Sequence, residues 1–327
     1  MSQWLSVPRN RVILGAGVLV VLIVVIVFSR WQGPGPNESS YFLAPQIEVG
    51  NAPQAVAVGE GGVWVTNAGD GSVSFIDPES TEVEGEPIPV GPIPSGIAAG
   101  EGYVWVGFGE GATSISRIQP GSRQVLDDAI EIGRSPSSLA VGEGRVYVAA
   151  VVGDDVAAVD PSSAEVEFRA GKEALEFPSN VASGLGSVWV TDVNKDELVQ
   201  LAPETLEVED RIEVGTSPTA VTVGDGFVWV ANFDGSVTRV DPSAGNKTES
   251  IAVGERLGGL TVGEGFLWGT ASGADLVMRV DTASGQVEGV TIPVGDNPQG
   301  IAYADGKVWV ANQTANTVSL IDLHPNE

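Results

Sequence analysis

The sequence predicts an all-β fold, a seven-bladed β-propeller of four-stranded antiparallel blades, preceded by one N-terminal transmembrane helix. Three observations carry this prediction. A repeat of 39–42 residues occurs seven times. Each repeat holds about four short apolar runs separated by Gly and Asp turns, the mark of short antiparallel strands. An uncharged apolar run, residues 12–28, precedes the first repeat.

Residues 1–11 are short and polar and read as a cytoplasmic N-terminus. The run VILGAGVLVVLIVVIVF rises roughly 25 Å as a helix at about 1.5 Å per residue, which suits a membrane span. Its exit, Phe28-Ser29-Arg30-Trp31, lacks the small-x-small site of a cleaved leader. Residues 12–29 are therefore expected to be an uncleaved signal anchor. Arg9 and Arg11 before it, against Arg30 alone just after it, orient the N-terminus inward. Residues 30–40 form a Gly/Pro/Ser linker. Residues 41–327 are expected to be the propeller, on the outer side of the plasma membrane.

The repeat is anchored at several points. The middle-strand aromatics are Trp64, Trp105, Tyr147, Trp189, Trp229, Trp268 and Trp309. A Val-Gly pair or a near match opens each unit, as in Val49-Gly50, Val214-Gly215 and Val294-Gly295, and a proline usually follows three residues later. In the first unit the strands are expected at 54–58, 62–66, 72–76 and 82–90; the fourth strand of the fifth unit is expected at Thr248–Val253. Four antiparallel strands per such period is the length of a propeller blade. A buried Trp in every blade suits a wedge between neighbouring sheets, each covering about 150–250 Å². The last unit stops after three strands, and the orphan run Tyr41–Val49 can supply the fourth, which removes the free edge.

The cores Trp64-Val65-Thr66-Asn67, Trp229-Val230-Ala231-Asn232 and Trp309-Val310-Ala311-Asn312 resemble the YVTN-type β-propeller repeat proteins and the related virginiamycin B lyase-like family. The resemblance covers about residues 41–327. It implies a propeller, and for the lyases themselves a magnesium-dependent activity using two histidines and a glutamate. This chain has one histidine, His324, beyond the last strand. The departure speaks against the lyase chemistry.

The formal charge of −27 excludes nucleic acid as a natural partner, because a surface this acidic repels phosphate. Cysteine is absent, so no disulfide, thiolate site or cysteine nucleophile exists. The candidates for chemistry lie in loops. Asp192-x-Asn194-x-Asp196 spaces oxygen ligands like the start of a calcium loop, although Glu197 stands where its glycine belongs. The same blade carries four extra residues between Gly171 and Pro178, and insertions often mark a binding face. Ligand contacts are expected from Arg134, Phe177, Asn180, Lys195, Arg256 and Asn297. Carboxylates of the second-to-third-strand loops could ring the channel mouth and attract a cation, although Asp and Gly there are also what a tight hairpin needs. No cofactor is expected beyond Ca²⁺ or Mg²⁺ at such a site. The sequence thus favours a noncatalytic domain recognising a protein, peptide or envelope component. A metal-dependent lyase or hydrolase with a non-histidine site is the competing expectation.

Overall fold

The computed structural model describes residues 41–126 and 129–325. The expected N-terminus, anchor and linker (1–40) lie outside the described residues. Among those described, no helix is long and apolar enough to cross a membrane.

The described residues form seven antiparallel sheets, a seven-bladed β-propeller. Blade 1 uses Pro53–Gly59, Gly62–Asn67, Ser72–Ile76 and Ile88–Pro89. Blade 4 uses Pro178–Gly184, Ser187–Asp192, Glu197–Leu201 and Val208–Glu213. Blade 5 uses Pro218–Gly224, Phe227–Asn232, Ser236–Asp241 and Lys247–Ala252. Blade 7 takes Pro298–Ala304, Lys307–Asn312 and Thr317–Asp322 from the end of the chain. Its outer edge comes from Phe42–Leu43 and Ile47–Glu48, with Phe42 opposite Asp322 and Ile47 opposite Val318.

The outer strands depart from expectation in blade 1. Instead of a strand over 82–90, a single bridge joins Val83 to Ile76, and pairing resumes only at Ile88–Pro89. Pro87 and Pro89 lack the N–H groups a continuous ladder needs, and Gly85 turns the chain at φ 77°. Blade 3 (Pro136–Gly142, Arg145–Ala150, Asp155–Asp160 and Glu165–Ala170) and blades 4 and 5, whose outer segments have no such prolines, carry full six-residue fourth strands.

Every inner strand that opens on proline breaks register directly after it, as between Pro178 and Asn180 or Pro218 and Ala220. The residue after that proline is small or neutral and polar: Gln54, Ser95, Ser137, Ser179, Thr219, Gln299. Polar bonds near these inner strands then link neighbouring blades. Asn180 donates to the Thr219 carbonyl at 2.7 Å, the Thr219 hydroxyl to Leu257 at 2.9 Å, and the Thr270 hydroxyl to Gln299 at 2.8 Å. Between the inner strands Pro94–Gly100 and Pro136–Gly142 glycine lets the backbones approach: a Cβ on Gly96 would lie 2.1 Å from the Ser137 carbonyl oxygen.

The core lies between blades. All six repeat Trp side chains and Tyr147 are fully buried. Five of the indoles donate to the carbonyl five residues earlier, from Trp64 to Gly59 through Trp268 to Gly263. Trp309 does not, and its Nε1 is buried without a partner. The position five residues before it is Ala304, whereas Gly59, Gly100 and Gly184 hold φ of 154–156°, which a side chain disfavours.

Candidate functional site

The two faces of the disc do different work. On the face made by the first-to-second and third-to-fourth turns, side chains staple one blade to the next. Arg117 donates to Pro161, Tyr147 to Pro203, Arg239 to Thr282 and Lys307 to Pro78, all on backbone carbonyls. Asp160, Asp241 and Asp281 end third strands there, Asp77 directly follows one, and all four accept N–H groups from their own turns. His324 lies on this face too, its Nε2 3.5 Å from Glu264.

The opposite face carries the Gly-x-x-Pro loops and the second-to-third-strand loops, where the sequence placed its candidates. The loop carboxylates do not form a free acidic ring. They cap neighbouring loops: Asp196 accepts the Ser217 N–H at 2.7 Å and Asp275 the Asn297 N–H at 2.8 Å, as the Asn316 amide oxygen accepts the Ala52 N–H at 2.9 Å. Asp196, Asp275 and Asn316 sit at φ 55–58°, where Gly71 and Gly235 stand in other blades, so turn conformation selects them.

Blade 4 breaks the pattern. Asn67, Asn232 and Asn312 end their second strands buried, and each donates to two hydroxyls on the third strand. Blade 4 has Asp192 there, opposite Glu197 and near Val199, with no hydroxyl to meet. The buried Asp192 carboxylate instead accepts the N–H groups of Glu176 and Phe177, at 2.8 and 3.1 Å. The extra residues are held at two further points. Leu175 is buried in the core beside Leu206 and Val199, and Arg211 donates to the Ala174 carbonyl. The insertion is therefore a braced wall.

Two hollows flank this wall. One, of about 310 Å³, is lined by Lys172, Leu175, Glu176, Asp192, Lys195 and Arg211 among others. The other, of about 400 Å³, lies against Arg169, Gly171, Lys172, Leu206 and Val208. Lys195 pairs with Glu176 at 2.7 Å and Arg211 with Glu197 at 3.0 Å. The hydrogen bond to Glu176 raises the Lys195 ammonium above its ordinary value. Nearby, desolvation raises the carboxyl of Asp155, against the pull of Arg169.

The structure gathers some predicted residues and scatters others. Phe177, Asp192 and Lys195 meet at the first hollow or its wall. Asn194 is exposed on the same loop, and Asp196 caps the next blade. Both oxygens of Asp192 are engaged by backbone, and among the described residues no three His, Cys, Asp or Glu are grouped to hold a metal. Asn180 ties blades 4 and 5 together. Asn297 belongs to an amide chain: it accepts from Gln299, donates to Gln313 at 2.8 Å, and Gln313 donates to Gln54 across the closing interface. Arg134 is exposed near Ser135, and Arg256 stacks on Phe233. Sequence reasoning missed Arg211 and Glu197, which reach the hollow only through cross-strand register. A usable signal existed at Asp192. The Asn of other blades precedes Ser-Val-Ser, Ser-Val-Thr or Thr-Val-Ser, and Asp192 precedes Glu-Leu-Val.

No family model matches the chain, and no curated protein matches it. Solved structures do. A streptogramin B lyase is 16% identical with TM-score 0.73, covering 86% of this chain and 97% of its own. Virginiamycin B lyase from Staphylococcus aureus is 17% identical with TM-score 0.72, over 86% and 99%. Hydrazine synthase from Kuenenia stuttgartiensis is 15% identical with TM-score 0.74, over 89% and 99%. The protein is thus a seven-bladed propeller similar in fold to these lyases. At such identities the likeness is one of fold, and propellers host many activities.

Proposed function

We propose that the protein is a membrane-anchored propeller, displayed outside the cytoplasm, that binds a protein, peptide or envelope component without transforming it. The braced wall at blade 4 carries this reading. Leu175, Asp192 and Arg211 hold an insertion that no other blade has, with a hollow on either side of it. A rigid, preformed relief keeps the ordering cost of association low. The apolar run at 12–28 supports the anchoring, and the Arg9/Arg11 asymmetry supports the orientation.

The test uses the full chain in detergent as bait for envelope extracts, beside a variant whose residues 172–176 are cut to the short loop of other blades. The reading expects a specific partner lost in the variant, which melts lower because Leu175 leaves the core and Asp192 loses the Glu176 N–H, but which keeps the parent's far-UV circular dichroism at the capture temperature. Equal capture by both would overturn it. Protease added to spheroplasts should digest the propeller; full protection would refute the orientation.

A second reading, a metal-dependent lyase or hydrolase, draws on the neighbours that are streptogramin lyases. Metal analysis of the purified full chain separates the two. A stoichiometric divalent ion lost on mutating Asp192 or Asp196 would favour the enzyme.

A further inference from the structure

Six arginines of the described residues stack on aromatic rings, and four of them share one arrangement. Arg123 lies over Phe75, Arg145 over Phe168, Arg239 over Phe227 and Arg279 over Phe266, with guanidinium carbons 3.8–5.4 Å from the ring centroids. At the edge of each guanidinium sits a glutamate: Glu84, Glu167, Glu249 and Glu288. A fifth, Arg117 over Tyr103, donates to the Pro161 carbonyl. The aromatic takes the cation's face and an oxygen takes its in-plane N–H groups, the geometry that suits a planar fork.

Arg256 is the sixth. It lies 4.8 Å over the ring of Phe233, on the loop face. Its in-plane donors have no carboxylate or carbonyl partner among the described residues. Neither acid beside the stack on the chain pairs with it: the adjacent, exposed Glu255 makes no ion pair with Arg256, and Asp234 accepts the N–H and hydroxyl of Ser236 and the N–H of Thr216, the Ser236 hydroxyl above all lowering its carboxyl. The platform is nonetheless fixed. The Phe233 N–H donates to Thr216 at 2.9 Å and Ser217 at 3.2 Å, and Leu257 beside Arg256 is buried. Phe233 is 55% exposed, the most exposed large apolar side chain described. Exposed aromatic and Arg side chains are the residue types that anchor interfaces.

We propose that Arg256 on Phe233 is a receptor for a carboxylate side chain of a polypeptide partner, which supplies the edge glutamate that four other stacks take from within. The proposal rests on the binding reading above and names the chemistry of one contact. The partner's apolar surface covers the rim of Phe233 while its carboxylate meets the fork, and excluding water there strengthens the charge-assisted pair.

Fluorescence anisotropy tests it, with the full chain in detergent and two labelled, end-blocked pentapeptides, Ala-Glu-Phe-Glu-Ala and its Gln counterpart. The Glu peptide should bind saturably and at least about tenfold more tightly than the Gln peptide, the span of one charge-assisted contact. R256Q should remove that preference, R256K should keep part of it, and F233A should weaken it. Both side chains lie at the surface, so the variants should melt within about 2 °C of the parent, as surface substitutions do. Equal binding of the two peptides, no saturable binding at millimolar concentration, or an R256Q protein that still prefers Glu would overturn the proposal. If removal of residues 172–176 abolishes partner capture while R256Q leaves it intact, the receptor is refuted and the binding reading stands.

Discussion

Asp192 accepts the backbone N–H of Glu176 at 2.8 Å, and through it a buried strand end holds a surface insertion in place. The Asp192 side chain is fully buried, so both bonds are made away from water, where a hydrogen bond is electrostatically stronger. Asp192→Ala should cost about 3 kcal/mol, from two lost bonds and two amides left in a drier setting. Asp192→Asn should cost less, since one oxygen survives. Thermal or urea unfolding reads both. Proteolysis should cut the variants first between Gly171 and Phe177.

The closing edge gives the second prediction. Ile47 and Val49 pack against a core that includes Val56, Val63 and Val318, and the Gln46 side-chain carbonyl accepts from Thr317 at 2.9 Å. Deleting residues 41–50 exposes the third strand of blade 7 and uncovers that surface. A loss of about 3–5 kcal/mol is expected from two aliphatic side chains and the sheet bonds. An unchanged melt would mean the strand adds nothing to the ring.

Trp309 supplies an internal control for the indole bond. Trp64→Phe removes volume and the bond to Gly59, whereas Trp309→Phe removes volume alone. The Trp309 variant should be the less destabilised of the two by about 1 kcal/mol. Chemical denaturation of both variants measures the difference.

The third-to-fourth turns set the acid limit. At Asp77 the amides of Ser80 and Glu79 lower the carboxyl, and at Asp160 the hydroxyl of Ser162 and the amide of Ser163 lower it to about 2. Asp241 and Asp281 are lowered in the same way, chiefly by Ser243 and Ser284. A carboxyl depressed by folding stabilises the fold above its unfolded value of 3.8 and loses that contribution as pH falls through the folded value. Stability should therefore drop between about pH 4 and 2, and Asp160→Asn should flatten part of that fall. Asp155 has the opposite sign. Its raised carboxyl favours the protonated fold, so stability is lost as pH rises from 3.8 to the folded value, and Asp155→Asn should remove that loss. Melting temperature against pH checks both.

Much of the fold was legible because its determinants are local and repeated. Trp64 and its counterparts, the Val-Gly openings and the Asp-Gly turns state blade length and blade number without reference to contacts. The exception in blade 1 was also written locally, in Pro87 and Pro89. The site was less legible. Asp192, Asn194 and Asp196 look alike along the chain, and the fold assigns them to an insertion brace, to solvent and to a neighbouring loop.

Seven all-β blades, an odd fourth blade and a single histidine can all be read from the order of residues, because each depends on local pattern or simple count. Which charges are spent and which are open cannot be read that way. Their partners lie on neighbouring strands or in the next blade, as Arg239 and Thr282 do at 43 residues' separation. Arg239 and Arg256 are the same residue type, each stacked on a phenylalanine. Cross-strand register gives one of them Glu249 and leaves the other facing outward.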